Sequence, residues 1–398
     1  MNRLLGVLIF LSASPAMGCE NPLSGPSEAY RCILEKHPSL SVIKLRDAEA
    51  EGLIRSARQR SNPEAELQAG FIGERSIEAE VLLPVSFGDK RGARISRAQA
   101  ESAVLKSNDL LTRSEIALNA AENLIQLRQT NETLKLLSAT KVQVDKIVRR
   151  IRAKRVLTPE DRTTSRLFDL YSSTLIQKIS TAEAEVESLH KIISAALGRP
   201  LNEKDRVIGQ RPSQWPPLPL KQELIPLNSR IAHSELAAAQ AELLLARAEA
   251  WPDLKLGPVF SSGPETSEYS LGIKLSLDLP LLNTNQGAQA LATSRVSIAE
   301  ANTRAQAQAD EVTLSNLQMS YTKATEALKA ASSPNSLTAL ISNTDQLFAR
   351  GFLQPSSIVE TYRSSIEALE ESHSTELRAV TSYFKYLTFL GQIPKELP

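Results

Sequence analysis

Two kinds of hydrophobic spacing divide this chain. From residue 64, Ala65, Leu67, Ala69 and Phe71 fall on one side and Glu64, Glu66, Gln68 and Gly70 on the other. Ile77, Ala79, Val81 and Leu83 then oppose Ser76, Glu78 and Glu80. Farther along, Leu254, Leu256 and Phe260 form a less regular version, interrupted by Gly257 and Pro258. The cleanest version sets Tyr269, Leu271, Ile273, Leu275, Leu277 and Leu279 against Ser270, Gly272, Lys274, Ser276 and Asp278. A period of two predicts strands with one wet and one apolar face, at about 64–72, 76–87, 253–261 and 268–280.

Elsewhere the spacing is helical. Prolines are absent from 85–158, 160–199, 281–333 and 356–393, and an interior proline costs about 3 kcal/mol, so these stretches predict long helices. Residues 93–152 alone would make a rod of roughly 90 Å at 1.5 Å per residue. Ile358, Tyr362, Ile366, Leu369, His373, Leu377 and Val380 keep an eleven-residue rhythm, close to that of a straight helix packed along its length. His373 lies on that stripe and reads as a packed residue rather than a ligand.

The plan occurs twice. Ala57-Arg58, Pro63, Leu67 and Phe71 return 189 positions later as Ala246-Arg247, Pro252, Leu256 and Phe260, and Pro84 returns 196 later as Pro280. Gly92-Ala93 returns as Gly287-Ala288, and "AKRVLTP" from Ala153 returns as "ARGFLQP" from Ala349. Such an ordered repeat decides the architecture. Each copy holds a modest helix, two strands and two long helices, with the echoed phrase as the turn between the long helices. At the first turn Lys146, Arg149, Arg150, Arg152, Lys154 and Arg155 follow one helix, and Thr158-Pro159-Glu160-Asp161 opens the next, as the helix dipole and capping favour. At the second, Gly351 suits a left-handed cap and Pro355 restarts the helix. The expected organisation is an export signal at 1–18, a first repeat at 19–200 (hairpin about 92–199, tip 152–161), a linker at 201–226, and a second repeat at 227–398 (hairpin about 285–390, tip 349–356).

The N-terminal "MNRLLGVLIFLSASPAMGC" has the basic, apolar and small-residue parts of a secretory signal. Cys19 and Cys32 are the two cysteines of the chain. In an exported protein they suggest a disulfide, while Cys19 also falls where a bacterial lipoprotein carries its lipid; both readings stay open. The net charge of +1 gives no sign of a nucleic-acid partner. Export and period-two strands together predict an outer-membrane barrel, apolar toward lipid and polar toward the lumen. Four strands cannot close such a barrel, and open edges in a bilayer leave backbone groups unpaired at several kcal/mol each. Chains must therefore pool strands, two giving eight or three giving twelve.

On these residues the sequence resembles the TolC-type outer membrane factor family. The run "FGDKRGAR" at Phe87–Arg94 resembles its heavy-metal and organic-compound efflux branch. "HPSL" at His37–Leu40, "PDLKLG" at Pro252–Gly257, "YSLGIKLSLDLPLLN" at Tyr269–Asn283 and "ARGFLQPSSIVETYRSSIEA" at Ala349–Ala368 stand in the family's order. The resemblance implies a mainly α protein with a small β part. As a homotrimer it would form a twelve-stranded outer-membrane β-barrel on a long periplasmic α-helical barrel. It further implies passive export with a periplasmic adaptor protein and an inner-membrane pump of RND or ABC type, in contact with outer-membrane lipid. Adaptor-contacting tips would be Arg152, Lys154, Arg155, Val156 and Leu157, with Arg350, Gly351, Phe352 and Leu353. Glu360 matches a gate carboxylate, with Tyr362 and Arg363 as locking partners; Ser357 stands where the family can carry a second acid.

A periplasmic adaptor is the alternative, since it too combines a helical hairpin with β elements, but it does not repeat the hairpin in tandem. An enzyme is disfavoured: the four histidines (37, 190, 233 and 373) are scattered, and no metal-spaced cluster, phosphate loop or nucleophile elbow is present. No cofactor, metal or catalytic residue is therefore expected.

Overall fold

A computed structural model describes residues 19, 22–70, 76–212, 214–219, 225–262, 269–277 and 282–397. The signal segment at 1–18 lies outside them, as do residues 71, 72, 268 and 278–280 of the expected strands. The first copy comprises α1 (Pro26–Lys36), α2 (Ser39–Arg58), β1 (Glu64–Gly70), β2 (Ser76–Ser86), α3 (Lys90–Arg152) and α4 (Pro159–Leu197). The second comprises α5 (Leu227–Ala248), β3 (Asp253–Ser262), β4 (Tyr269–Leu277), α6 (Gln286–Ala330), α7 (Pro334–Ala349) and α8 (Pro355–Phe389).

The helix ends follow local chemistry. Asp89, in the left-handed region at φ 53°, starts α3 by accepting the Gly92 amide through its side chain. With 63 residues, α3 is about 95 Å long. Thr158 and Asp161 form a reciprocal capping box at the start of α4, which satisfies two otherwise orphan amides. The second copy departs from the expected single rod. Its first long helix stops at Ala330, Ser333 caps a new one by accepting the Ser336 amide, and Pro334 is the first residue of α7. In a continuous helix the ring of Pro334 would clash with the Ala330 carbonyl, and it disfavours a helical Ser333, which is extended at ψ 153°, so α6 cannot run on. Gly351, at φ 82°, closes the second tip. Its neighbour Phe352 donates its amide to the Leu347 carbonyl at 3.1 Å, the arrangement that ends a helix on a left-handed residue.

The four strands make one antiparallel sheet in the order β1-β2-β3-β4. The register aligns Leu67, Ala79, Phe260 and Leu271 in one row, and Leu83, Leu256 and Leu275 in another, so the apolar positions of both copies share a face. Gly257 is required in this ladder, since a Cβ there would lie 1.8 Å from the Val81 carbonyl oxygen.

Two apolar cores run along the helices. The one nearer the sheet joins α1, α2, α3, α4 and α8 around Tyr30, Leu124, Leu127 and Phe384. The one nearer the tips joins α3, α4, α7 and α8 around Leu137, Ile147, Phe168 and Tyr362. Cys19 and Cys32 are joined as a disulfide. Among the described residues no helix is long and apolar enough to cross a membrane.

Candidate functional site

At the sheet end, the shared apolar face is bare. Ile273 is 82% exposed and Leu271 79%, and Leu67, Ile77, Leu83 and Leu275 are exposed beside them. Contiguous apolar surface of this kind marks contact with a partner or a membrane. The opposite face carries the charged side chains together with Leu82 and Val259 and is partly ion-paired: Lys255 donates to Glu64 at 2.6 Å and Lys274 to Glu80 at 2.6 Å. Among the described residues β1 is hydrogen-bonded on one side only, to β2, and β4 on one side only, to β3. Both edges are thus templates for further pairing.

At the other end stand the two hairpin tips. In the first, Arg152 donates to Asp169 at 2.7 Å and Lys154 to Asp161 at 2.6 Å. The Lys154 contact, with the Thr158 cap, holds the Asp161 carboxyl below the usual range. Arg155 and Val156 are exposed and Leu157 is half-buried. In the second, Arg350, Gly351 and Phe352 are exposed and Leu353 is half-buried, packed against the tip-side core.

Of the three residues matched to a gate, two are brought together and Tyr362 stands apart from them. Glu360 is exposed and pairs with Arg363 at 3.3 Å, and Arg363 also approaches Glu367 at 3.6 Å. Tyr362 points the other way and is fully buried. Among the described residues its hydroxyl has no hydrogen-bond partner, like the Tyr171 hydroxyl and Asp345 Oδ1. Burial raises both phenols, Tyr171 to about 12.

Sequence reasoning missed a buried ionic cluster between the copies. The rhythm on α8 places Leu377 inward, but Leu377 is half-buried and Glu376 is wholly buried. Glu376 meets Arg128 of α3 at 2.6 Å, Gln129 at 2.9 Å, and Arg211 of the inter-repeat loop at 3.3 Å. One turn away, His373 Nε2 lies 3.0 Å from Glu132, and its Nδ1 3.3 Å from the Thr133 hydroxyl. Burial would raise the Glu132 carboxyl, but the His373 contact and the Arg128 charge outweigh it and hold the carboxyl below its ordinary value. The opposing charges 128 and 376 are far apart in sequence, so the available signal was an acid within an apolar stripe. The loop itself hugs the helices: Tyr321 and Tyr386 donate to the Pro216 and Pro219 carbonyls.

No family model matches this sequence. It is 25% identical over 250 residues to the cobalt-zinc-cadmium resistance protein CzcC of Cupriavidus metallidurans, covering 60% of this chain. The chain spans about 58% of that curated relative's length. Among solved structures, CusC superposes with a TM-score of 0.74 at 14% identity, covering 96% of each chain. The open state of the Neisseria gonorrhoeae MtrE outer membrane channel gives 0.75 at 14% identity, covering 94% of this chain and 90% of that one. A membrane protein from Pseudomonas aeruginosa gives 0.72 at 16% identity, covering 93% and 91%. The chain therefore has the fold of the TolC-type outer membrane channels.

Proposed function

We propose that this chain is the outer-membrane exit duct of a tripartite efflux or type I secretion system. One observation carries the reading: a four-stranded sheet with a bare apolar face and two unpaired edges is built onto a rod about 95 Å long. Three copies pairing β1 of one with β4 of the next close a twelve-stranded barrel. The apolar face then meets lipid, and Glu64, Glu66, Glu78 and Glu80 line a wet lumen with Lys255 and Lys274. The duct conducts passively. Its energy comes from an inner-membrane pump of RND or ABC type, coupled by a periplasmic adaptor that meets the two tips.

Under this reading the second tip narrows the entrance. Three Glu360 carboxylates around the axis repel one another and attract cations, with Arg363 as their local counter-charge. The curated relative is a cobalt-zinc-cadmium resistance protein, so divalent metal cations are the cargo to try first. The test is assembly and conduction: protein extracted from outer membranes in detergent should sediment as a trimer and give discrete steps in planar bilayers. A water-soluble monomer, or a trimer that does not conduct, overturns the reading.

A further inference from the structure

The two tips differ in charge in a way helix-end electrostatics does not explain. Around the first, Lys146, Arg149, Arg150, Arg155, Arg162 and Arg166 are exposed. Among the described residues none of the six pairs with a carboxylate, whereas Arg152 and Lys154 are matched to Asp169 and Asp161. The dipole of α3 favours cations at 149 and 150, near its C-terminus. It does not account for Arg162, in the first turn of α4 where the dipole disfavours positive charge, or for Arg166 one turn farther on. Lys146 with Arg150, and Arg162 with Arg166, are also like-charge neighbours four residues apart, a mildly destabilising spacing. The second tip is nearly balanced, with Arg363 shared between Glu360 and Glu367 and Arg350 exposed. Each tip ends on a bare apolar side chain, Val156 at 80% exposure and Phe352 at 72%.

We infer that the first tip docks into an acidic protein surface: an apolar socket for Val156 rimmed by carboxylates that neutralise Arg149, Arg150 and Arg155. This rests on the exit-duct reading, in which first and second tips alternate around one ring. A lipid bilayer meets all tips alike and gives no reason for basic and balanced tips to alternate. A protein surface with alternating charge can, and opposite charge across such a contact gives register and speed of encounter. The attraction is screened over about 10 Å at 0.1 M salt, so the contact is salt-sensitive.

A photoreactive residue at Val156 of the full chain, crosslinked in intact cells and read by sequencing the joined peptide, tests this. The expected result is a periplasmic protein segment with several Asp or Glu residues flanking the crosslink. Reversal of Arg149, Arg150 and Arg155 to Glu should lower the yield at least about tenfold, and Lys substitutions in the acidic segment should restore it. Crosslinks to a segment lacking carboxylates, to lipid, or to nothing overturn the inference. So does flotation of the purified trimer with phosphatidylglycerol vesicles that depends on the same arginines. Conductance of the reversal variant separates the two readings: intact conduction without an acidic contact removes this inference alone, while absent conduction in the unaltered trimer removes the duct itself.

Discussion

From Lys90 to Arg152 the first copy runs as one helix, while the matching stretch of the second is cut at 331–333 into α6 and α7. The tips differ too, one crowded with unpaired cations and the other balanced around Arg363. Contacts across α6 and α8 show where the cut falls. Ser382 donates to Ser320 at 2.9 Å, and the Tyr321 and Tyr383 rings are 5.6 Å apart. Counting along the antiparallel helices, the cut lies level with about residues 369–371, beside the buried cluster of His373 and Glu376. The second copy thus interrupts its own helix at the height where its other helix is tied to the first copy. A duplication preserves the plan of elements, but each copy can then be made rigid or jointed on its own.

The comparison can be broken most sharply at the tie. Glu376→Ala leaves Arg128 buried without its main counter-charge, and a loss of about 3–5 kcal/mol is expected. It would appear as a large drop in the melting temperature of the detergent-solubilised protein; an unchanged melt would show that the cluster does not hold the copies together. Next, Ser138 of α3 lies 196 positions before Pro334 and is exposed. Ser138→Pro gives the first copy the second copy's interruption and should cost about 3 kcal/mol. If it is tolerated without loss, the rod's continuity is not a requirement of the first copy.

A smaller effect concerns acid. Because Glu132 is held below its ordinary value of 4.5, its ionised form is favoured in the folded state. The stability it contributes is present above about pH 4.5 and is lost as pH falls through the lower folded value. Glu132→Gln should remove about 1–2 kcal/mol at pH 7 and flatten that part of the acid limb in melts recorded between pH 3 and 7. An unaltered acid limb would assign the sensitivity elsewhere. Smallest for stability is Glu360→Ala, since an exposed ion pair contributes little. Its expected effect is on conduction: a higher single-channel conductance or a weaker cation preference in planar bilayers. If both stay unchanged, Glu360 has no gate role.

Strand faces, long helices and the tip turns were legible because each depends on neighbours in sequence. Alternation set the apolar face of β4, Thr158 and Asp161 set a cap, and Gly351 set a turn. The interruption at Pro334 was visible as the end of a proline-free stretch, yet it is two extra helix ends rather than one longer rod. The candidate sites were less legible. Tyr362 has the same spacing whether it locks an entrance or fills a core, and its burial depends on helices distant in sequence.

By itself, the sequence determined the duplicated order of elements, the face each strand presents and the chemistry of each helix end, because these follow from periods of two and 3.6 and from a few backbone-fixing residues. Only the tertiary structure decided that Glu376 rather than Leu377 turns inward and that the four strands of both copies join in one sheet. Each of these depends on a partner distant in sequence, and pairing across such distances is set by packing, which no local pattern records.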